Sequence, residues 1–288
     1  MKMRNNSPGF PAVLAMVPLL ALLVSCNTPD SVARFCSSAV STLGSGDALF
    51  DDMKASCIRE AQTRESFGTF ALTDPDPAVC DDIGKQAEGL KAASKVLLDY
   101  FKALNDLASF GASKAGDDAK ELVAKASAQS KLSADRQTAM ASIAGFLTRV
   151  ATSGYQQRQL ADDVVRVHKD IQVSLDGLGE VVGVAYLHQL QNEEQKTATR
   201  YNEFLLQHQG AADAALILDA RWQNDRANFA ARQKAALAYK AALETLAKGN
   251  EELAAHARGF KAKDLAGLLS SYAAQLDSLA PAIRKAYF

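Results

Sequence analysis

The sequence predicts an all-α protein, an elongated up-and-down antiparallel helical bundle with coiled-coil-like seams. Three observations carry this. Ala occurs 53 times in 288 residues, and Ala is the strongest helix former. The seven prolines are 8, 11, 18, 29, 75, 77 and 281, so the 203 positions from 78 to 280 contain none of the residue that breaks helices. Apolar residues then recur at three- and four-residue steps over most of that span. Charge is balanced, 32 Lys and Arg against 33 Asp and Glu, so no basic surface calls for nucleic acid. An apolar content of 48% argues against a disordered chain.

Residues 1–25 read as a cleaved signal. Lys2 and Arg4 form a positive start, and 10–24 is uncharged and apolar. That run of about 15 residues is shorter than the ~20 a membrane-spanning helix needs. It ends in Leu23-Val24-Ser25-Cys26. This ending resembles the lipobox of bacterial lipoproteins. The resemblance implies cleavage before Cys26, acylation of its thiol and new amino group, and membrane attachment through those chains. Several acyl chains make a firm anchor where one binds only marginally. Asn27 follows the Cys where an inner-membrane retention signal would place Asp. By that analogy the outer membrane facing the periplasm is favoured, and surface exposure stays open. Loss of Lys2 and Arg4 gives the mature chain 30 − 33 = −3 formal charges.

Residues 26–30 form the anchor and a short tether. Residues 31–76 read as two short helices and an irregular loop. Pro29-Asp30-Ser31 opens the first helix, Gly44-Ser45-Gly46 stops it, and Asp47 caps the second, which ends near Thr63. In an oxidising compartment Cys36, Cys57 and Cys80 allow one bridge. Cys57–Cys80 closes the least regular segment. Cys36–Cys57 is its rival, and three buried free thiols are the third option. The spacings do not suit zinc.

Residues 77–288 are the main bundle. Asp76 caps and Pro77 starts its first long helix. Ile83, Leu90, Leu97 and Leu104 repeat every seven residues, interleaved with Ala87, Ser94, Phe101 and Ala108. Gly111 and Gly116 end it. A charged helix follows over 117–130. Ser133 caps the next, with Met140, Ile143, Leu147 and Val150 inward and a stop or kink at Gly154. Residues 155–208 read as one long helix striped by Val164, Val167, Ile171, Leu175, Leu178 and Val182. The stripe passes through Gly177, Gly179 and Gly183. Each Gly costs ~1 kcal/mol against Ala, so the three require compensation: close helix packing, or a bend or ligand groove. From Gln191 to Lys196 the chain is too polar to be buried all round, which suggests a solvated rod or hairpin end. Gly210 marks the turn into a helix over 211–258 whose seam carries Asn250. Gly259 breaks that helix. Asp264 caps the last, with Leu265, Leu268, Leu269, Tyr272, Leu276 and Leu279 on its inner face.

No catalytic motif emerges. The four His, 168, 188, 208 and 256, fall in no metal-binding pattern. Glu252 and His256 supply two ligands one turn apart, short of a site. The acidic pairs sit at helix starts or on exposed faces. The aromatic residues fall mainly at seam positions as core; Trp222, with Arg221 and Arg226 nearby, is the one that could contact a partner, the alternative being core or half-core. The expectation is therefore a lipid-anchored, non-enzymatic envelope protein, structural or engaging a protein partner, with no cofactor, metal or nucleic acid. The alternative is a small-ligand or metal-binding bundle with access beside the three glycines. A site assembled from scattered residues is the remaining option.

Overall fold

In the computed structural model the described residues are 28–65, 75–108, 118–129, 132–151, 157–208, 212–257 and 263–287. The signal, Cys26 and Asn27, and the expected breaks at Gly111, Gly116, Gly154, Gly210 and Gly259 lie outside them. Among the described residues the chain is all-α. Its helices are α1 (Thr28–Glu65), α2 (Asp81–Ala108), α3 (Ala119–Gln129), α4 (Ala134–Ala151), α5 (Gln157–Glu180), α6 (Leu187–Gln207), α7 (Ala212–His256) and α8 (Lys263–Tyr287).

The first 38 residues of this bundle correct the sequence reading. α1 is one helix, not two, and Gly44-Ser45-Gly46 lies inside it. Tertiary packing overrides the local stop signal. A Cβ on Gly46 would lie 2.4 Å from the Tyr239 hydroxyl oxygen and 2.6 Å from ring carbon Cζ, so glycine is what lets α7 seat this ring against α1. Tyr239 is fully buried and meets Phe50 edge-on at 6.0 Å. Gly249 repeats the device on α7, where the Phe35 ring would lie 2.2 Å from an added Cβ. Phe35 in turn packs edge-on against Phe101 of α2 at 5.9 Å.

Asp76 caps as expected, its carboxylate accepting from the Ala78 amide at 2.9 Å, although the first turn (Pro77–Cys80) is a 3₁₀ helix rather than α. Cys80 in that turn is bonded to Cys57 of α1, S–S 2.07 Å, and Cys36 is free and buried. Ser133 caps α4 through the Arg136 amide. α8 begins at Lys263, one residue before the expected cap Asp264, and continues past Pro281 to Tyr287. Leu265, Leu269 and Leu276 face inward as expected, but Leu268 is exposed.

α1 and α2, α2 and α3, and α4 and α5 pack antiparallel. Lys91 of α2 pairs with Asp51 of α1, Lys125 of α3 with Glu88 of α2, and Arg149 of α4 with Asp163 of α5. The heptad leucines of α2 and the α5 stripe share one apolar core. Asn250, fully buried in the α7 seam, is satisfied on both sides. Tyr100 donates to its Oδ1 at 2.8 Å, and its Nδ2 donates to the His168 carbonyl at 3.2 Å. A polar group this deep costs stability unless paired, and its pairing ties α2, α5 and α7 at one register.

α5 continues into α6 through one π-helical turn, Val181–Tyr186, so the expected long helix over 155–208 is continuous from Gln157 to Gln207. With α7, 45 residues and ~67 Å long, it forms the long axis of the molecule. None of the described helices is long and apolar enough to cross a membrane.

Candidate functional site

Two features of the α6–α7 pair stand apart from the apolar core: a buried ionic cluster at its root and an apolar free end. The cluster begins with Glu193, which the sequence places in a solvated stretch and which is 1% exposed. Its carboxylate accepts from Ser56 Oγ at 2.6 Å and from Arg59 Nε at 2.5 Å, both on α1. Asp52, one to two turns earlier on α1, pairs with Arg59 Nη1 at 2.9 Å and accepts from the Tyr186 hydroxyl at 2.5 Å. Arg232 of α7 lies 3.6 Å from Glu193 and 3.7 Å from Asp52, with its guanidinium over the Phe229 ring. Tyr287, at the end of α8, meets the Tyr186 hydroxyl at 2.9 Å.

Two carboxylates thus face two guanidiniums among residues from four helices and the π turn. Burial works against the charge on Arg59, but the hydrogen bonds it donates to Glu193 and Asp52 outweigh it, and its pKa rises. Burial, then the neighbouring Tyr287 and Asp52, push the Tyr186 hydroxyl far above its ordinary value, so it donates and stays neutral. A π turn leading into the cluster fits the frequent placement of such turns where a helix serves a special contact. The two formal positive and two formal negative charges cancel, and Arg232 Nη1 is buried without a hydrogen-bond partner, held by ion pairs alone.

Beyond the cluster the hairpin leaves the bundle. No residue of α6 after Glu193, and none of α7 before Phe229, is buried. Lys196 still pairs with Glu60 near the end of α1. The remaining stretch of each helix extends ~20–25 Å further, at 1.5 Å per residue. Its two helices are held by a small seam. Tyr201 and Trp222 meet at 5.6 Å and 49°, and the Tyr201 hydroxyl donates to Asp225 at 2.8 Å. Burial and then Asp225 raise the Tyr201 pKa to about 12. These rings, with Ala198, Asn202, Leu205, Leu218 and Asp219, line a small open cleft. On the same two helices Leu206, Leu216 and Ile217 are 66%, 71% and 72% exposed.

The expected solvated rod is therefore present, though its root is buried, and Trp222 lies in its seam. The glycines show a different outcome. An added Cβ would lie 2.8 Å from Arg136 Nε at Gly177, 2.3 Å from Lys240 Cδ at Gly183 and 3.9 Å from Leu243 Cδ1 at Gly179. The space beside them holds neighbouring side chains rather than a ligand groove, which is the close-packing alternative. His256 lies 3.5 Å from Glu252 as a lone helical pair. Among the described residues no three His, Cys, Asp or Glu side chains converge to hold a metal.

The sequence reading missed the cluster, whose members are separated by up to 235 positions (287 − 52). It also missed that the hairpin end carries exposed apolar side chains, for which a signal existed. Leu216-Ile217-Leu218 are consecutive on a helix, ~100° apart, so one narrow seam does not bury all three. Comparison with protein-family models, with curated proteins and with solved structures finds no match to this chain.

Proposed function

We propose that the protein is a lipid-anchored, non-enzymatic spacer of the cell envelope that presents the α6–α7 hairpin end to another envelope component. The observation that carries this is the exposure of Leu206, Leu216 and Ile217 on the projecting part of α6 and α7, where Tyr201 and Trp222 line an open cleft. Apolar side chains gathered at one free end of a water-soluble bundle mark an interaction surface. The lipobox supports the anchor. Cys26 lies two residues before α1 begins, so little tether separates an acyl group from the bundle. α1 starts beside α8, where Ser270 donates to Ser31, and its other end meets Lys196 at the hairpin root. The start of α1 and the hairpin end therefore lie at opposite ends of the long axis, which supports a reading in which an acyl group on Cys26 holds the hairpin end away from the membrane. Asn27 favours the outer membrane by the same family analogy.

Proximity labelling in native cells tests the proposal. The mature protein is compared with Cys26→Ser and with Leu206→Gln/Ile217→Gln. Cys26→Ser should release the protein from membranes, and the hairpin variant should lose specific neighbours while staying membrane-bound. Membrane retention of Cys26→Ser would overturn the anchor. An unchanged neighbour set in the hairpin variant would overturn the contact surface.

A further inference from the structure

We draw no further inference here: the strongest candidate, the open cleft that Tyr201 and Trp222 line between α6 and α7 at the hairpin end, is bordered by acidic and basic side chains alike, and nothing in the structure shows what covers it.

Discussion

Replacing Glu193 by Ala tests whether the ionic cluster fastens the hairpin root. The carboxylate accepts from Ser56 and from two nitrogens of Arg59, at 2.6, 2.5 and 3.2 Å. Its removal leaves Asp52 as the one carboxylate facing both Arg59 and Arg232. Breaking a buried pair costs ~3–5 kcal/mol because the surviving partner is left without its counter-charge. Arg59 keeps 34% of its side chain exposed and stays bonded to Asp52, so water screens part of the loss. The expected cost is therefore about 3 kcal/mol, the low end of that range. Ser56→Ala should cost about 1.5–2 kcal/mol alone, the value of a hydrogen bond to a charged group. It should add almost nothing once Glu193 is gone. Urea unfolding followed at 222 nm gives each value. A loss below about 1 kcal/mol for Glu193→Ala, with an unchanged m-value, would refute the reasoning, because it would mean the carboxylate is solvated.

Three further predictions follow from packing, covalent and ionisation geometry. Gly46→Ala should lower stability by about 1–3 kcal/mol because its Cβ meets the buried Tyr239 ring at 2.4–2.9 Å. Gly44→Ala, with Leu98 Cδ1 at 3.8 Å, should instead gain about 0.5–1 kcal/mol in the same thermal or urea assay. Cys57→Ser/Cys80→Ser should cost about 3 kcal/mol, and dithiothreitol should lower the wild-type urea midpoint while leaving the double variant unchanged. Burial, and then the nearby Asp118, raise the Asp99 pKa above its ordinary value. A carboxylate with a raised folded pKa destabilises the fold when ionised, and that cost fades as pH falls through the folded pKa toward the unfolded one. Asp99→Asn should therefore be more stable than wild type at pH 7, with the difference shrinking in acid. A difference that grows in acid would contradict the assignment.

Helices were legible because their signal is local. The seven-residue series of α2 and the α5 stripe each state a face, and both faces are buried. The break assigned at Gly44-Ser45-Gly46 failed because a local breaker carries no record of what packs on it. Tyr239 lies 193 positions from Gly46 (239 − 46), and its ring is what makes glycine useful inside α1. Glu193 failed for the same reason. Its neighbours in sequence are polar, and its partners Ser56 and Arg59 sit 137 and 134 positions away. Trp222 stands out in the sequence by its type alone, and the structure places its ring against Tyr201 in the α6–α7 seam, whereas the exposure of Leu206 needed the structure to show that no helix covers it.

The position of the ionic cluster bears on how the hairpin is aimed. An apolar contact holds two helices together but tolerates sliding and rotation, because it is non-directional. Hydrogen bonds to charged groups lose strength steeply with angle. The cluster sits where α6 and α7 leave the support of the other helices, and its bonds run to α1 and α8 in different directions. Ser56 and Arg59 fix Glu193 along and across α1. Asp52 fixes Tyr186 at the end of the π turn, and Tyr287 adds a second direction from α8. Leu or Ile in these places would bury as much surface and constrain the angle less. The cluster therefore contributes less to net stability than its number of contacts suggests, and more to the direction in which the hairpin points. An apolar substitute such as Arg59→Met/Glu193→Leu should keep the urea midpoint near wild type and broaden the distance distribution between a spin label at Asn202 and one on α8. A distribution as narrow as wild type would show that packing alone aims the hairpin.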